Sequence, residues 1–578
     1  MVKKTITILG GGYAGIEAAK VLCKKYKKND QIEITLIDKN TYHTLMTELH
    51  EVAGSRVEPD AVMVSYNRIF AGTKVNVVTD FITGIDFEKR KLKSDKTEYG
   101  YDYLILATGG SPEFFDIEGV QENSFSLWSL EDAMRIREHF EEQFRLAANE
   151  PDPKLKKQML TFVVAGAGFT GIELMGEFVE RRDVLCAKYH IPVSQVRMII
   201  VEALDMVLPI IEPPLRKKVV SYLEKNGVEI KLGTPITGAE KDKVFLGDGS
   251  EIDTKTFIWT CGIHGSEFTS RIDLTMGGTA RGQSSLASAE GIHGMCGYRF
   301  DPEKMQVVGK RGRILVNEYM QSADHDNVYA VGDNLWFIEN EKVLPQIVET
   351  AIQTGNTAAK NIIADIENSK RQAFKSNYHG FMVSIGGRYG VSNAGGMKVS
   401  GFMAMAMKHL VNMHYLFGIA GFNAVWTYLK HEFFDMKDRR TFLGEHFSWK
   451  IQGIWAVPLR VFLGVIWLLA GINKIQMTGT SSPLLMILEL GMGIALICGL
   501  FTWLASVLSI VLCIVYLSSG IFSSDQLWRI FASLLMLGGA GRSLGLDHWL
   551  MPALKKRWNA SSFAKRTHLY LGEPGLKQ

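Results

Sequence analysis

Two hydrophobic patterns divide this chain. Through about residue 370, short runs rich in Val, Ile and Leu alternate with stretches whose apolar residues recur every three or four positions. That alternation predicts strands joined by helices, the pattern of an α/β protein with parallel sheets. Over 401–434 the helical spacing continues: Met403, Met407, Leu410, Val411 and Phe417 occupy apolar positions, while Lys408, His409 and Asn412 fall elsewhere around the helix. With Trp426, Tyr428 and Lys430 close behind, this segment suits a membrane surface, the alternative being an ordinary packed helix pair. Beyond residue 450 polar positions become scarce. Apolar stretches near 454–473, 483–501, 502–522 and 528–545 predict four membrane helices, the last the shortest, since a span needs about 20 residues. GLFT at 499–502 supplies the tight connection between the second and third.

Two of the predicted strands run into the same turn. TILGGGYAGIEA at 7–18 and VVAGAGFTGIEL at 163–174 each read strand, Gly-x-Gly-x-x-Gly, helix. Gly10, Gly12 and Gly15 in the first copy, and Gly166, Gly168 and Gly171 in the second, hold three distinct places. There a turn tightens, a pyrophosphate approaches backbone without a Cβ in the way, and a helix packs on its strand. The anion then rests on the helix N-terminus. In both copies the following strand ends in an acid, Asp38 after QIEITLI and Glu202 after VRMIIV. Such a carboxylate accepts hydrogen bonds from a ribose diol and repels a 2′-phosphate, which favours NADH over NADPH at the second turn. YDYLILATGGSP at 101–112 and NVYAVGDN at 327–334 are two more buried strands, ending at Ala107, Thr108, Gly109 and Gly110 and at Gly332 and Asp333.

Composition narrows the partners. A chain of 578 residues exceeds a single core, and a net charge of +3 with balanced acids and bases gives no reason to expect nucleic acid. MVKKTITILGGG reads as a first strand and not as a signal peptide, which assigns the nucleotide-binding part to the cytoplasm. The cysteines, Cys23, Cys186, Cys261, Cys296, Cys498 and Cys513, include no Cys-x-x-Cys pair, so neither a disulfide framework nor a zinc site is expected. His293 and Cys296 form only a local pair, and no metal site is predicted.

Taken in this order, the two fingerprints and the two later strands resemble the flavin disulfide reductase-like superfamily, in which an FAD domain is interrupted by an NAD(H) domain. DKNTYHTLMTELHEVAG at 38–54, VEALDMVLP at 201–209, WTCGIHG at 259–265, GRILVN at 312–317 and AIQTGNTAAKNI at 351–362 are similar to type II NADH:quinone oxidoreductase, the single-subunit, non-proton-pumping respiratory dehydrogenase. The resemblance covers roughly residues 1–440. It implies two Rossmann-like dinucleotide-binding domains: an FAD domain in two parts, 1–120 and 312–370, around an NADH domain at 121–265. A flexible Gly/Ser-rich insertion at 266–311 and a membrane-associating, quinone-entrance region at 371–450 complete this half.

For FAD it implies contacts from Gly10, Gly11, Gly12, Tyr13, Ala14, Gly15, Asp38, Lys39, Ile82, Ala107, Thr108, Gly109, Gly332, Asp333, Val348 and Glu349. For NADH it implies Gly166, Gly168, Phe169, Thr170, Gly171, Glu173, Glu202 and Gly262, with Glu173 beside the nicotinamide as the catalytic candidate. Glu17 holds the equivalent place in the first copy, and a first-turn carboxylate is also favoured simply by the helix dipole. Glu349 and Gln353 are implied at the quinone. PQIVETAIQ at 345–353 departs from the family, which has Ala-Gln where this chain has Val348 and Glu349. An ionisable Glu349 either tunes quinone choice and proton delivery or is a tolerated polar replacement; both readings stay open.

LRVFLGVIWLLAGINKI at 459–475 and GAGRSLGLDHWL at 539–550 resemble the DoxX-like four-helix family, which implies an all-α transmembrane bundle at 451–578 with a basic tail. Lys437, Arg439, Arg440 and Lys450 before the first span match Lys555, Lys556, Arg557, Lys565 and Arg566 after the last, so both termini are expected on the cytoplasmic side of the cell membrane. Glu489, inside an apolar span, is expected to be buried in a packing or quinone-proximal role, and Arg460 and Arg529 to snorkel from helix ends. The combined expectation is an enzyme passing two electrons from NADH through FAD to a menaquinone-type quinone, such as demethylmenaquinone. Related dehydrogenases with an added membrane domain feed extracellular acceptors. Homodimers are common in the resembled family, although no stretch here demonstrates one. Two alternatives remain: another flavin-dependent quinone or disulfide reductase, dependent on Cys261 or Cys296, and a redox-linked transporter or sensor with a flavoprotein input domain.

Overall fold

The computed structural model describes residues 3–277, 312–340, 342–434, 452–476 and 483–570. The chain forms two compact units, Met1–Ser448 with Arg566–Leu569, and Trp449–Lys565 with Tyr570–Gln578.

In the first unit β1 (Lys4–Leu9) leads through α1 (Tyr13–Lys25) to β2 (Ile32–Asp38), followed by β3 (Asn76–Thr79) and β4 (Tyr103–Leu106). These strands pair in parallel in the spatial order β4, β1, β2, β3, and the late strand Val328–Ala330 closes the sheet beside β4. A second sheet repeats the plan. Its strands β5 (Phe125–Ser126), β6 (Thr161–Ala165), β7 (Arg197–Val201), β8 (Val228–Lys231) and β9 (Thr256–Trp259) stand in the order β5, β9, β6, β7, β8, all parallel, and β6 opens into α2 (Phe169–Tyr189). In each sheet the central strand carries the glycine-rich turn and its neighbour carries the acid. The strand order reverses beside that turn, at the switch point where doubly wound sheets take ligands.

Burial on both faces explains the nearly unbroken apolar runs. Ile6, Ile8, Ile34 and Leu36 in one sheet, and Val163, Val164, Ile199 and Ile200 in the other, are completely buried. Register then fixes the acids: Leu9 pairs with Ile37 and Ala165 with Val201, so Asp38 and Glu202 each stand one residue past the pairing.

After α3 (Val348–Glu367) the chain forms the antiparallel strands β10 (Gly380–Ile385), β11 (Tyr389–Ala394) and β12 (Met397–Ser400), then α4 (Phe402–Leu429). α4 is broken at Ala420 and Gly421, where Gly421 takes φ +67° and ψ −162°, a backbone state reserved for glycine. Phe402, Met403, Leu410, Val411, Phe417, Phe422 and Trp426 point outward, whereas Lys408 and His409 are buried. The helix thus has the predicted two faces, but turned inside out relative to a helix facing water.

The second unit packs α5 (Ala456–Gln476), α6 (Pro483–Cys498), α7 (Thr502–Ser518) and α8 (Trp528–Met536) into a four-helix bundle, followed by α9 (Asp547–Ala560). Small residues let α5 and α6 approach: a Cβ on Gly493 would stand 2.6 Å from the Leu468 amide nitrogen. One helical stretch among the described residues, Gly453–Ile475 with a mean hydropathy of 1.9, is long and apolar enough to cross a membrane; α6 and α7 are apolar but shorter. The expected fourth span is shorter still. α8 has nine residues and is followed by Gly538 and by Gly539 at φ +96°. Arg460 does not snorkel: it is buried and its guanidinium donates to the carbonyls of Ala540, Ser543 and Leu544 at 2.7–3.0 Å. That interaction satisfies the open carbonyls where the bundle's last turn would otherwise leave them bare.

Candidate functional site

Both glycine-rich turns pass a geometric test for a phosphate-bearing ligand. Gly10 and Gly166 sit at φ +105° and +96°, as the tight strand-to-helix turn requires. A Cβ on Gly15 would collide with the Gly10 carbonyl oxygen, and one on Gly171 with the Gly166 carbonyl oxygen. Gly12 and Gly168 differ: an added Cβ meets nothing within 4 Å. The middle glycine of each turn therefore faces open space, the side from which a pyrophosphate would reach the backbone N–H groups.

The two acids have a role that spacing alone does not reveal. Asp38 Oδ2 accepts from the Gly11 N–H at 2.6 Å, and Glu202 Oε2 from the Ala167 N–H at 2.6 Å, in equivalent places of the two turns. Asp38 Oδ1 also takes the Asn40 N–H, and Glu202 Oε1 the Leu204 N–H. Each carboxylate thereby holds its turn in shape. Burial pushes the Glu202 carboxyl up against the pull of these amides. A cleft of about 260 Å³ opens at the carboxyl ends of β6, β7 and β9, lined by Ala165, Val201, Ala203, Trp259 and Cys261 among others.

Around the first turn, Tyr13 packs edge-on to His43 at 4.7 Å and tilted on Tyr415 at 5.1 Å, and the Tyr415 hydroxyl meets His43 Nε2 at 3.0 Å. Burial drives the His43 imidazole down to about 4, keeping it neutral. Ala14 lies under Gly355 of α3, a contact that a side chain at 355 would prevent. Glu17 is tied to Asn356 of α3 at 2.8 Å. Thr108 hydrogen-bonds Asn334 at 3.1 Å, Gly109 adopts φ +70°, and the Gly332 amide donates to Thr354 at 3.0 Å, so the ends of β4 and of the strand Val328–Ala330 meet over α1 and α3. Burial lifts the Asp333 carboxyl to about 6 against the opposing pull of Arg313. Ile82 is buried and Lys39 exposed. In the second turn Phe169 stands edge-on to Phe381 at 6.3 Å, and Thr170 follows it in the first turn of α2. Gly262, at φ +72°, is closed over by Phe115.

Val348 and Glu349 open α3. Glu349 accepts from the His379 amide at 3.1 Å and meets its Nδ1 at 2.9 Å; one turn on, Gln353 exchanges hydrogen bonds with the Asn377 backbone at 2.7 and 2.9 Å. These two residues tether α3 to the segment leading into β10.

Glu173, in the first turns of α2, enters a buried polar cluster. Its Oε1 accepts from the Ser384 amide at 3.2 Å and lies 3.3 Å from the Ser384 hydroxyl, and its Oε2 is 3.7 Å from His50 Nδ1. Ser384 Oγ is 3.1 Å from His50 Nε2 and 3.4 Å from Lys408 Nζ. Lys408 pairs with Glu48 at 2.9 Å and with Glu51; Arg56 pairs with Glu51, with Glu177 at 2.8 Å and with Glu432 at 3.1 Å. Burial raises Glu173 to about 8 and Glu48 to about 7, in both cases against Lys408. Glu51 goes the other way: Arg56 and Lys408 outweigh its burial and hold it well below the usual range. Burial, reinforced by Lys408, keeps His50 neutral. The cluster thus holds carboxyl protons and a fixed ammonium side by side.

Of this cluster, sequence reading singles out Glu173 alone. His50, Glu51, Arg56, Ser384 and Lys408 come from a five-residue helix (Leu49–Ala53), its following loop, β10 and α4, with the paired Glu51 and Lys408 357 residues apart in the chain. The one signal was a run of ionisable residues in TELHEVAGSR with no solvent-facing periodicity. Among the described residues no group of three or more His, Cys, Asp or Glu is arranged to hold a metal, and the described cysteines are free thiols. Cys261 is buried beside the Gly166 turn; His293 and Cys296, with most of the Gly/Ser-rich insertion, lie outside the described residues.

A family model for pyridine nucleotide-disulphide oxidoreductases matches residues 4–282. The chain is 31% identical over 425 residues to the type II NADH:quinone oxidoreductase of Staphylococcus aureus, an alignment that takes in 72% of this chain and 96% of that one. It is 30% identical over 427 residues to the protein of the same name from Staphylococcus epidermidis, with the same shares covered. Among solved structures, NDH2 from Plasmodium falciparum in complex with NADH matches with a TM-score of 0.62 at 16% identity, covering 74% of this chain and 98% of that one. The sulfide:quinone oxidoreductase of Aquifex aeolicus matches with a TM-score of 0.55 at 18% identity over 73% and 92%. At such identities these structures establish the shared fold.

Proposed function

Because the chain belongs to the type II NADH:quinone oxidoreductase family, we propose that it is a membrane-bound, non-proton-pumping NADH:quinone oxidoreductase, taking FAD at the first glycine-rich turn and NADH at the second and reducing a menaquinone-type quinone. What carries this reading is the position of Glu173: the helix that begins at the second turn brings its carboxyl into a cluster shared with His50 and Glu48, which follow the first turn in the chain. Glu173, on the helix that opens at the second turn, thus meets His50, on the short helix Leu49–Ala53 that follows the first turn and its strands in the chain. FAD, when bound, supplies the two-electron chemistry between a hydride donor and a quinone.

The rest falls to the chain's own residues. Gly12 and Gly168 leave room for the two pyrophosphates, and Asp38 and Glu202 fix the turns and offer acceptors to ribose hydroxyls. Quinone reduction consumes protons as well as electrons, and the raised carboxyls of Glu173 and Glu48 hold protons near neutral pH beside the fixed charge of Lys408. Enclosure of this cluster keeps bulk water away from the reacting groups.

The membrane assignment rests on inverted surfaces. α4 turns Phe402, Met403, Leu410, Val411, Phe417, Phe422 and Trp426 outward and Lys408 inward. In the bundle Phe462, Leu469, Leu484, Val511, Ile514 and Phe531 face outward, while Ser506, Ser509, Ser533 and Glu489 are completely buried. That distribution suits a lipid surround, where outward apolar groups cost nothing and polar groups must find partners inside. The basic flanks support a cytoplasmic flavoprotein, and the stretches at 459–475 and 539–550 support a DoxX-like membrane domain at 451–578.

Parallel anaerobic additions of NADH and NADPH to the holoprotein test the cofactor assignment. The flavin band bleaches with NADH, and at least tenfold more slowly with NADPH at equal concentration, because the Glu202 carboxylate opposes a 2′-phosphate. Equal rates would overturn the NADH assignment, and no bleaching by either would overturn the oxidoreductase itself.

A further inference from the structure

The four-helix bundle encloses a polar site that the proposed reaction does not use. Near the end of α5, Lys474 Nζ donates to Glu489 Oε1 of α6 at 2.6 Å and to the Tyr516 hydroxyl of α7 at 2.8 Å, and Tyr516 donates to the same Oε1 at 2.6 Å. Glu489 is completely buried, yet its Oε2 has no hydrogen-bond partner among the described residues. On the other side, Arg529 at the start of α8 lays its guanidinium over the rings of Trp467 at 5.1 Å and Phe522 at 4.6 Å, leaving buried Nε and Nη1 with no acceptor. Trp467 and Phe522 also pack against Tyr516, with ring centroids 6.4 and 4.9 Å apart, so the carboxyl and the guanidinium flank one group of aromatic faces. The Trp467 indole is itself fixed by Ser509 at 2.9 Å, which Ser533 supports at 2.8 Å.

Native interiors rarely leave charged donors and acceptors unpaired, because no other partner repays the lost hydration. Here, among the described residues, an unpartnered acceptor beside the Tyr516 hydroxyl and two unpartnered donors over Trp467 and Phe522 flank one aromatic group. A ligand that completes them offers a hydroxyl to Glu489, an oxygen acceptor to Arg529 and a flat ring to Trp467 and Phe522. A phosphate or a free carboxylate, lacking a hydroxyl hydrogen to give, leaves the Glu489 oxygen without a donor. The apolar exterior of the bundle admits ligands from a lipid phase. We infer that the bundle contains a binding site for the head group of a membrane quinol, made from Lys474, Glu489, Tyr516 and Arg529 and lying wholly within the second unit. The choice of a quinol rests on the proposed function, which forms one; the site itself rests on the unpartnered groups. Lys474 and Tyr516 lie near the ends of α5 and α7, and Arg529 and Glu489 in the first half of α8 and α6, so the site is at one end of the bundle, opposite the Arg460 cap.

The test uses full-length holoprotein in lipid nanodiscs kept anaerobic with menaquinol-2, counting quinol bound per chain at equilibrium. Wild type binds two equivalents. Glu489→Gln and Arg529→Gln each weaken one of them at least tenfold, with flavin content and bleaching by NADH read as independent reports on the first unit. One equivalent in wild type, or two that neither substitution affects, overturns the inference. Because either substitution could disturb the bundle, unmodified protein is also labelled anaerobically with a photoactivatable azido-menaquinol. Label on peptides containing Trp467, Tyr516 or Phe522, displaced by menaquinol-2, supports the site. Label confined to residues 1–434, or displaced by phosphatidylglycerol and not by menaquinol-2, overturns it. Failure of NADH to bleach the flavin would sink the proposed function instead, leaving the labelling result to decide this site alone.

Discussion

At the scale of residues, the consequential side chain is Glu173. Burial holds its carboxyl near 8, so it keeps its proton at neutral pH and releases it as the medium turns alkaline. If that proton serves quinone reduction, the quinone-dependent reoxidation rate is flat below about pH 8 and falls above it. Glu173→Gln removes the alkaline limb and slows reoxidation by about 100-fold, as expected for loss of a general acid, while bleaching by NADH slows much less. A pH series of the two half-reactions reads both effects. The same raised value has a stability consequence. Between the ordinary carboxyl value and about 8 the folded state binds more protons here than the unfolded chain, so stability from this group falls as pH rises through that window. Melting temperatures measured across the window therefore decline less steeply in Glu173→Gln than in wild type. Glu173 was visible in the sequence through its place in a motif. Lys408 and Arg56 were not, because nothing local marks a cation as buried: Lys408 pairs with Glu48 and Glu51 across the chain, and Arg56 pairs with distant Glu177 and Glu432 as well as with nearby Glu51.

At the scale of elements, the glycine-rich turns were the most legible feature, since their residue types follow from backbone geometry. Their internal division of labour gives a sharp contrast. Gly171→Ala forces a Cβ into the Gly166 carbonyl and costs about 1–3 kcal/mol, an overpacking penalty, seen as a lower melting temperature. Gly168→Ala meets open space, so melting is nearly unchanged while KM for NADH rises at least tenfold. Equal melting temperatures for the two variants would contradict the assignment. The bundle was legible in outline and wrong in detail. Apolar composition located four helices, but it could not register that two glycines stop the fourth after nine residues, or that Arg460 turns inward to cap carbonyls. Helix α4 carries a further prediction: replacing outward-facing Leu410 and Phe417 with Asp raises KM for a bilayer-embedded quinone about tenfold and leaves KM for NADH unchanged. An unchanged quinone KM would argue that this face does not meet lipid.

At the scale of the whole molecule, repetition made the fold readable. Two parallel sheets that share the order of four core strands and differ in the fifth, each with its glycine turn on the central strand and its acid on the next, account for why one chain carries two nearly identical twelve-residue stretches. Duplication alone does not say what passes between the sites; that depends on the buried cluster assembled from Glu173, His50, Ser384 and Lys408, and on surfaces that turn apolar groups outward. The central claim is that two electrons travel from NADH to a quinone through the flavin held in this first unit. Double-mixing anaerobic stopped-flow tests it most directly: the holoprotein is mixed with one equivalent of NADH, the flavin band is followed as it bleaches, and menaquinone-2 is added from the second syringe. The account predicts bleaching, then full recovery at a rate proportional to quinone concentration, with one quinol formed per NADH consumed. Bleaching with no quinone-dependent recovery would contradict it.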